Sequence, residues 1–588
     1  MKLSQLPVKI LLSCICIVLA TESARSQSGN MSDITQPSPD SMIPNEGNTA
    51  DNLGENTAGD IVEEVPVNNT QPNSEIETAT PETTSPETVN TINTQSEIVE
   101  SEPVTIEETA EVANPPESDE IVKKLFEEAD TREVKKAEES EEPKEEKVAE
   151  KESSEPAAEQ LDRVAYETQF QEAPGDLAVL MQEEFQLNQL IGSTGIELYG
   201  SVPSVKQISL RLAQLAEQTG KKPAFINISL QENQLESFVV LPAQVQANAK
   251  TSLVASSKLN NNISAAPASQ ASLIRKTVKN TSRKDILAKA AEFRAEVGDV
   301  RKLNLNEYKK SSQELYNVLI KPIEAELQAN KIDVLVFSMD SGLRLLPVAA
   351  LYDGKQFLVE KYAMGIVPSF GLTDTRYVSP DQASILAMGA SEFEEQAALP
   401  TMPIELKTVV SNPRRGESFL NQQFTIPNFV AQNSRETPFS IIHLGTHAEF
   451  KAGDLSDSYI QFYDEQLKIP QLQQLSDQLG WNTDDTPIEL MVLSACETAL
   501  GDKDAELGFA GLAVQAGVKS ALASLWYVSD LGTLAMMGEF YDQLDNTLNK
   551  AEALRQTQLA MLRGNVKIDS KQVKLSNGKD LALPADFP

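Results

Sequence analysis

Histidine and cysteine are scarce in this sequence, which limits the active sites that it can build. The 588 residues include 2 histidines and 3 cysteines, and Cys14 and Cys16 lie in an apolar stretch near the amino terminus. Structural zinc sites need clusters of these residue types, and the sequence has none. The remaining pair, His443 and His447, follows a strand-like run without the Glu of a metalloprotease motif. We therefore expect neither a metal nor another cofactor.

Basic residues and aromatics are also in short supply. Lys and Arg number 50 against 87 Asp and Glu, a net charge of −37, and aromatic residues make up 5% of the chain. A nucleic-acid-binding surface needs basic patches, often with interleaved aromatic side chains for stacking. No such patch occurs, so nucleic acid is excluded as an expected partner.

The first 26 residues have the features of a secretory signal peptide. Lys2 and Lys9 supply positive charge, and residues 8–20 form a mostly apolar run that is too short for a stable membrane span. Ala24 and Ser26 are small residues at the positions that a signal peptidase reads. We expect cleavage after Ser26 and an exported protein, periplasmic or secreted, without a membrane span after cleavage. An uncleaved anchor is the alternative.

Residues 27–160 are strongly acidic. They contain 35 Asp and Glu against 8 Lys and Arg, a net charge of −27, and Phe126 is their only aromatic residue. Burial of so few apolar groups cannot offset the entropy lost on ordering the chain. The sequence therefore predicts a long disordered acidic leader at 27–160. A linker or partly helical lead-in is expected at 161–195.

Residues 196–588 alternate between apolar strand-like runs and helical patterns. The predicted strands are 224–230, 237–241, 332–337, 384–388, 439–444, 488–493 and 520–526. The helices predicted among the later strands and after the last one are 404–410, 471–479, 507–516, 531–544 and 550–562. This alternation predicts an α/β fold with a mostly parallel sheet covered by helices on both faces. Residues 244–283, rich in Asn, Ser, Ala and Gln, are predicted to be an internal loop.

The reactive side chains stand where two of the predicted strands end. His447 follows the run 439–444, and Cys496 follows the run 488–493. Parallel sheets present catalytic groups at the carboxyl ends of their strands, and an imidazole can activate a thiol as a nucleophile. The 49 positions between the two are close to the His-to-Cys spacing of caspases. We expect Cys496 to attack a carbonyl and His447 to transfer the proton. The backbone N–H groups of Ala448 and Cys496 would stabilise the oxyanion.

Other interpretations of the same residues stay open. A lone cysteine is most often a buried apolar residue, and a histidine at a strand end is usually structural. His443, inside the apolar run, is expected to support the site from the core and not to react. Three function classes remain: a cysteine peptidase, a non-catalytic interaction module with the same groove, and an acyltransferase or esterase that uses the same thiol.

Several motifs resemble the CHAT family of caspase-like cysteine peptidases. They are H-L-G-T-H-A at 443–448, L-S-A-C-E-T at 493–498, E-L-G-F-A-G-L-A at 506–513 and A-S-L-W-Y-V-S-D at 523–530. The resemblance covers about residues 196–565. It implies a caspase-hemoglobinase-like sheet with His447 and Cys496 as the dyad, and a CHAT peptidase domain at 196–588. A protein or peptide is the implied substrate.

Three departures from the family pattern carry expectations of their own. Ala448 stands where the family usually has Gly, which leaves the backbone donor but restricts the loop. Family members often carry helical repeats before the peptidase domain, and here an acidic leader replaces them. Partner recognition by such repeats is therefore expected either from a separate repeat-containing regulatory protein or not at all. The family's aromatic-rich final strand is missing before Pro588, so an unfilled sheet position or an exposed edge is expected.

Substrate preference is predicted from the strand after the cysteine. Trp526 and Asp530 end this strand, and an acidic pocket there would favour Arg or Lys in the substrate. The alternative is that Asp530 caps the helix that follows. The preceding Asp502, Asp504 and Glu506 are expected to lie in a solvated loop.

Overall fold

The computed structural model describes residues 14–17, 163–194, 202–244, 272–299, 307–380, 383–449, 458–481, 488–494, 517–526, 528–547, 549–585 and 587. The predicted leader at 27–160, Cys496 and the predicted helix at 507–516 lie outside these residues.

An eleven-stranded sheet forms the centre of the described chain. Its strands, from one edge to the other, are β4 (Ser272–Lys279), β3 (Gln234–Leu241), β2 (Pro223–Leu230), β5 (Val334–Met339), β6 (Ala363–Val367), β1 (Cys14–Ile17), β14 (Ala521–Ser524), β13 (Leu490–Ser494), β9 (Ile441–Gly445), β7 (Ser384–Gly389) and β8 (Arg415–Leu420). Two three-stranded sheets accompany it: β10 (Ala448–Glu449), β11 (Tyr459–Gln461) and β12 (Gln466–Lys468), and β15 (Lys567–Ile568), β16 (Gln572–Lys574) and β17 (Asp580–Ala582).

The large sheet consists mainly of two parallel blocks. Strands β2, β5 and β6 form one block, and β14, β13, β9, β7 and β8 form the other. Between the blocks, β1 runs parallel to β6 and antiparallel to β14, so the two blocks point in opposite directions. Seven of the ten neighbouring pairs are parallel. The predicted α/β fold with a mostly parallel sheet is confirmed.

Helices cover both faces of this sheet. They are α1 (Arg163–Glu172), α2 (Gly175–Thr194), α3 (Val205–Thr219), α4 (Arg283–Gly298), α5 (Tyr308–Leu319), α6 (Lys321–Ala329), α7 (Leu358–Lys361), α8 (Met402–Val409), α9 (Ile426–Asn433), α10 (Ile469–Leu479), α11 (Asp530–Asn546) and α12 (Lys550–Leu562). Successive side chains of a strand point to opposite faces. Accordingly, Leu490 and Val492 of β13 pack in the cluster that includes α11, and Met491 and Leu493 pack in the larger cluster of the other face. Burial on both faces explains why such strands read as continuous apolar runs.

The predicted internal loop at 244–283 is wrong in its last part, because it contains β4. This strand pairs with β3 over its whole length, from Ser272 opposite Leu241 to Lys279 opposite Gln234. It is an edge strand and only half buried, so its sequence has the polar content of a loop. Arg275 of β4 also forms a 3.0 Å ion pair with the buried Glu236 of β3.

The range 161–195, for which a linker or partly helical lead-in is predicted, holds α1 and α2 in the structure. Phe170 of α1 and Ala178 and Val179 of α2 are fully buried in one cluster with α3 and the strands β2 and β3. These two helices therefore cover one face of the β2–β3 hairpin.

The sheet position beside β14 is occupied by β1. Cys14 lies opposite Ser524, and Ile17 lies opposite both Ala521 of β14 and Ile366 of β6. The sequence predicts an unfilled sheet position or an exposed edge without giving its place, and at this position the structure has residues of the predicted signal peptide. Any extended segment can supply the backbone groups that two strand edges need. Cleavage of the signal peptide stays a prediction.

In the part of the chain that the structure describes, no helix has both the length and the apolar character needed to span a bilayer.

Candidate active site

Two neighbouring parallel strands, β9 and β13, end side by side shortly before His447 and Cys496 in the sequence. Gly445 at the end of β9 pairs with Ser494 at the end of β13. The N–H of Thr446 donates to the Ser494 carbonyl at 3.3 Å, so the two chains stay together just past the strands. His447 stands two residues beyond Gly445, and Cys496 stands two residues beyond Ser494. The structure describes His447 and the strand that leads to Cys496, but Cys496 itself lies outside the described residues.

Glycines at the strand ends let helix α8 pack directly against this edge. Gly445 of β9 is paired with Gly389 of β7. A Cβ atom added to Gly445 would collide with the sulfur of Met402, the first residue of α8. A Cβ atom added to Gly389 would collide with the Gly445 carbonyl oxygen. The second clash is with a backbone atom and cannot be relieved by a side-chain movement, so glycine is needed at position 389.

The His447 ring is oriented by a backbone carbonyl. Its Nε2 lies 2.8 Å from the Ala397 carbonyl oxygen. Because a carbonyl can only accept a hydrogen bond, Nε2 carries the proton and Nδ1 of the neutral ring keeps its lone pair. The Phe393 ring meets His447 edge-on, with the centroids 4.7 Å apart. Both contacts come from the loop that joins β7 to α8, and together they leave Nδ1 as the basic nitrogen.

The backbone N–H of Ala448 points away from its neighbouring strand. Ala448 lies opposite Ile460 in the antiparallel pair of β10 and β11. The adjacent bond, from the N–H of Gln461 to the His447 carbonyl, is 2.9 Å long. Residues in antiparallel pairs alternate between bonded and non-bonded, so Ala448 is a non-bonded position. Its N–H is therefore directed out of this small sheet.

His443 belongs to a separate, fully buried cluster. Its Nδ1 lies 3.2 Å from the Tyr541 hydroxyl, and its Nε2 lies 3.0 Å from Oε1 of Glu405. Burial raises the pKa of Tyr541, so the phenol keeps its proton and donates to Nδ1. Nε2–H then donates to Glu405. Ser494 donates to the same Oε1 at 2.5 Å. Glu405 therefore links the strand that carries His443 to the strand that leads to Cys496.

The two histidines have separate partners and do not converge on one point. Among the described residues, no group of three or more His, Cys, Asp and Glu side chains could hold a metal ion.

Asp530, the first residue of α11, contacts Thr401 immediately before α8. Its Oδ2 accepts from the Thr401 N–H at 2.9 Å, and its Oδ1 accepts from the Thr401 hydroxyl at 2.7 Å. Burial raises the pKa of the Asp530 carboxyl, and nearby Glu405 adds to this effect. The hydrogen bonds from Thr401 and the nearby His447 act in the opposite direction. Asp530 is thus within electrostatic range of His447.

The interpretation of Asp530 as a helix cap is wrong. Ser529 caps α11, and its side chain accepts from the N–H of Gly532 at 3.1 Å. Asp530 is the first residue of the helix, where a negative charge is also favourable. Trp526, the other residue of the predicted substrate pocket, is 7% exposed and belongs to the hydrophobic core. The acidic pocket stays a prediction, as do Asp502, Asp504 and Glu506, which lie outside the described residues.

Some of these residues could not be found from the sequence. Ala397 acts through its backbone, which no side-chain pattern reveals. Glu405 had a detectable signal: Met402, Glu405, Leu406 and Val409 share the buried face of α8, and a lone carboxylate on such a face needs buried partners.

Comparison with known families agrees with this arrangement. Residues 309–573 match the family model described as CHAT domain. The resemblance seen in the motifs is therefore confirmed for this part of the chain, which is similar to a domain of a caspase-like, peptidase-related family. The match covers residues 309–573, so the assignment of residues 196–308 and 574–588 to the same domain stays a prediction. A comparison with curated proteins found no match.

Proposed function

We propose that the protein is a cysteine endopeptidase that hydrolyses peptide bonds through His447 and Cys496. The observation that carries this proposal is the 2.8 Å contact between Nε2 of His447 and the Ala397 carbonyl. This contact leaves Nδ1 as the basic nitrogen, at the end of the sheet where β9 and β13 both terminate. A peptidase-like CHAT domain also fits a protein substrate.

Chain connectivity supports the pairing of the two residues. Cys496 follows Ser494 by two positions in the sequence, and His447 follows Gly445, the residue paired with Ser494, also by two positions. Neighbouring strands are about 4.8 Å apart. Two chains that continue side by side past this pair would present the imidazole and the thiol at matching positions, within reach of each other.

The reaction follows from the chemistry of the two groups. Nδ1 of His447 takes the thiol proton, and the Cys496 sulfur attacks the carbonyl carbon of the scissile bond. The N–H groups of Ala448 and Cys496 hold the oxyanion. His447 then gives the proton to the leaving amine as the C–N bond breaks, which leaves a thioester. Water, deprotonated by His447, cleaves the thioester and releases the acid.

The surface of the β7–α8 loop suggests the kind of peptide. Glu392, Glu394 and Glu395 are exposed on either side of Phe393, which contacts His447. Negative charge beside the cleft would attract basic substrates. We therefore propose a preference for Arg or Lys near the cleaved bond. An exported location and regulation by a separate repeat-containing protein are part of the same proposal.

The test is cleavage of a peptide library by the full-length protein, read by mass spectrometry. Wild type should cleave, and Cys496→Ala and His447→Ala should each lose cleavage by at least about 10³-fold. Circular dichroism should show that both variants fold. Persistent cleavage by Cys496→Ala would refute the dyad. A wild type that binds peptides but never cleaves them would instead support a non-catalytic interaction module, and turnover of small esters alone would support an esterase.

A further inference from the structure

We infer that Asp530 is a positioning residue that holds the β7–α8 loop so that the Ala397 carbonyl fixes the protonation pattern of His447. The inference rests on the proposed function, because it assigns a role within the same site. It gives Asp530 a structural role through its hydrogen bonds to Thr401.

The loop is fastened at both ends, and Ala397 lies between the two attachments. At the β7 end, the N–H and hydroxyl of Ser391 both donate to Oδ1 of Asn421, at 2.8 and 3.2 Å. At the α8 end, the N–H and hydroxyl of Thr401 both donate to the Asp530 carboxylate. The Ala397 carbonyl is four residues from Thr401, so displacement of Thr401 moves the acceptor of His447.

The attachment at Thr401 is well suited to positioning. Thr401 is fully buried, so its two donors have no access to solvent. A carboxylate can accept both bonds at once, one on each oxygen. Asp530 begins α11 directly after the segment that follows β14, and 129 residues separate it from Thr401. The pair therefore ties the segment after β14 to the loop that orients the histidine.

Charge adds to the same role. Asp530 and His447 interact electrostatically, and His447 becomes an imidazolium when it takes the thiol proton. A nearby fixed carboxylate favours that cation. Glu405 is the other acidic group that acts on Asp530. Its carboxylate is engaged by His443 and Ser494, so Asp530 is the carboxylate that serves the loop.

The presence of only two histidines makes a direct test possible. In full-length protein with ¹⁵N-labelled histidine, NMR distinguishes the protonated ring nitrogen from the unprotonated one. Wild-type His447 should show a single neutral form with the proton on Nε2. Asp530→Ala should show a mixture of the two neutral forms, and peptide cleavage should fall about 10²-fold, the cost of small misplacement in an active site.

Three further variants separate the contributions. Asp530→Asn keeps one acceptor oxygen without the charge, so it should retain the Nε2–H form more fully than Asp530→Ala. Thr401→Val removes the hydroxyl donor alone and should weaken the preference less than Asp530→Ala. Asp542→Ala is the matched control, because this carboxylate of the same helix contacts Asn577, and it should leave the His447 signals unchanged.

Retention of the wild-type His447 signals in folded Asp530→Ala would overturn the inference, whatever the cleavage assay gives. Absence of peptide cleavage in wild type would count against the proposed function alone. In that case the NMR comparison would still decide whether Asp530 holds the loop.

Discussion

Removal of the Glu405 carboxylate should destabilise the fold more than any exposed carboxylate does. Glu405 is 1% exposed, and its Oε1 is the shared acceptor for the Ser494 hydroxyl and for Nε2–H of His443. In Glu405→Ala both donors stay buried without this acceptor. Each unsatisfied buried donor costs about 1–3 kcal/mol, so we expect a loss of about 2–6 kcal/mol in the free energy of unfolding.

Urea denaturation of three variants measures this loss. Glu405→Gln keeps one oxygen and nearly the same volume, so it should cost less than Glu405→Ala. The control is Glu394→Ala, since Glu394 is exposed and surface changes are usually within about 0.5 kcal/mol of wild type. A Glu405→Ala protein that is as stable as the control would refute the link between the β9 and β13 ends.

Two more predictions concern packing and charge. Gly389→Ala should destabilise the protein by about 1–3 kcal/mol in thermal or urea unfolding, because the new methyl group collides with the backbone carbonyl oxygen of Gly445. Gly298→Ala, whose methyl group would meet Trp526 at an ordinary 3.9 Å, should be nearly neutral, and equal effects would contradict the packing at the strand end. Burial raises the pKa of Glu183, so the folded protein binds this proton more tightly than the unfolded chain does. The contribution of Glu183 to the free energy of unfolding should therefore fall as pH rises from the ordinary pKa of a glutamate through the pKa in the folded protein. The difference in unfolding free energy between wild type and Glu183→Gln, measured with urea, should change with pH accordingly. A difference between these two proteins that stays constant with pH would contradict the raised pKa of Glu183.

The periodic and apolar parts of the fold were predictable from the sequence. Runs such as 439–444 and 488–493 are buried on both faces, and the strands β9 and β13 lie within one or two residues of them. The polar residues that follow these runs indicate the end of the sheet near which His447 lies. Edge strands are harder to predict, because β4 needs no continuous apolar run and has a loop-like composition.

Links between distant segments could not be predicted at all. The bond from Thr401 to Asp530 joins residues 129 positions apart, and the contact from His447 to Ala397 uses a backbone oxygen. Local patterns carry no information about either partner. The sequence therefore suggests a cap or a pocket residue at Asp530, whereas its carboxylate accepts two hydrogen bonds from Thr401.

The most direct test of the central claim is the alkylation rate of Cys496 by iodoacetamide, resolved by mass spectrometry of the full-length protein at neutral pH. A thiol activated by His447 should react at least about 10-fold faster than Cys496 in His447→Ala, because only the thiolate reacts. Equal rates in the two proteins, or a Cys496 that iodoacetamide cannot reach in the folded wild type, would contradict the dyad.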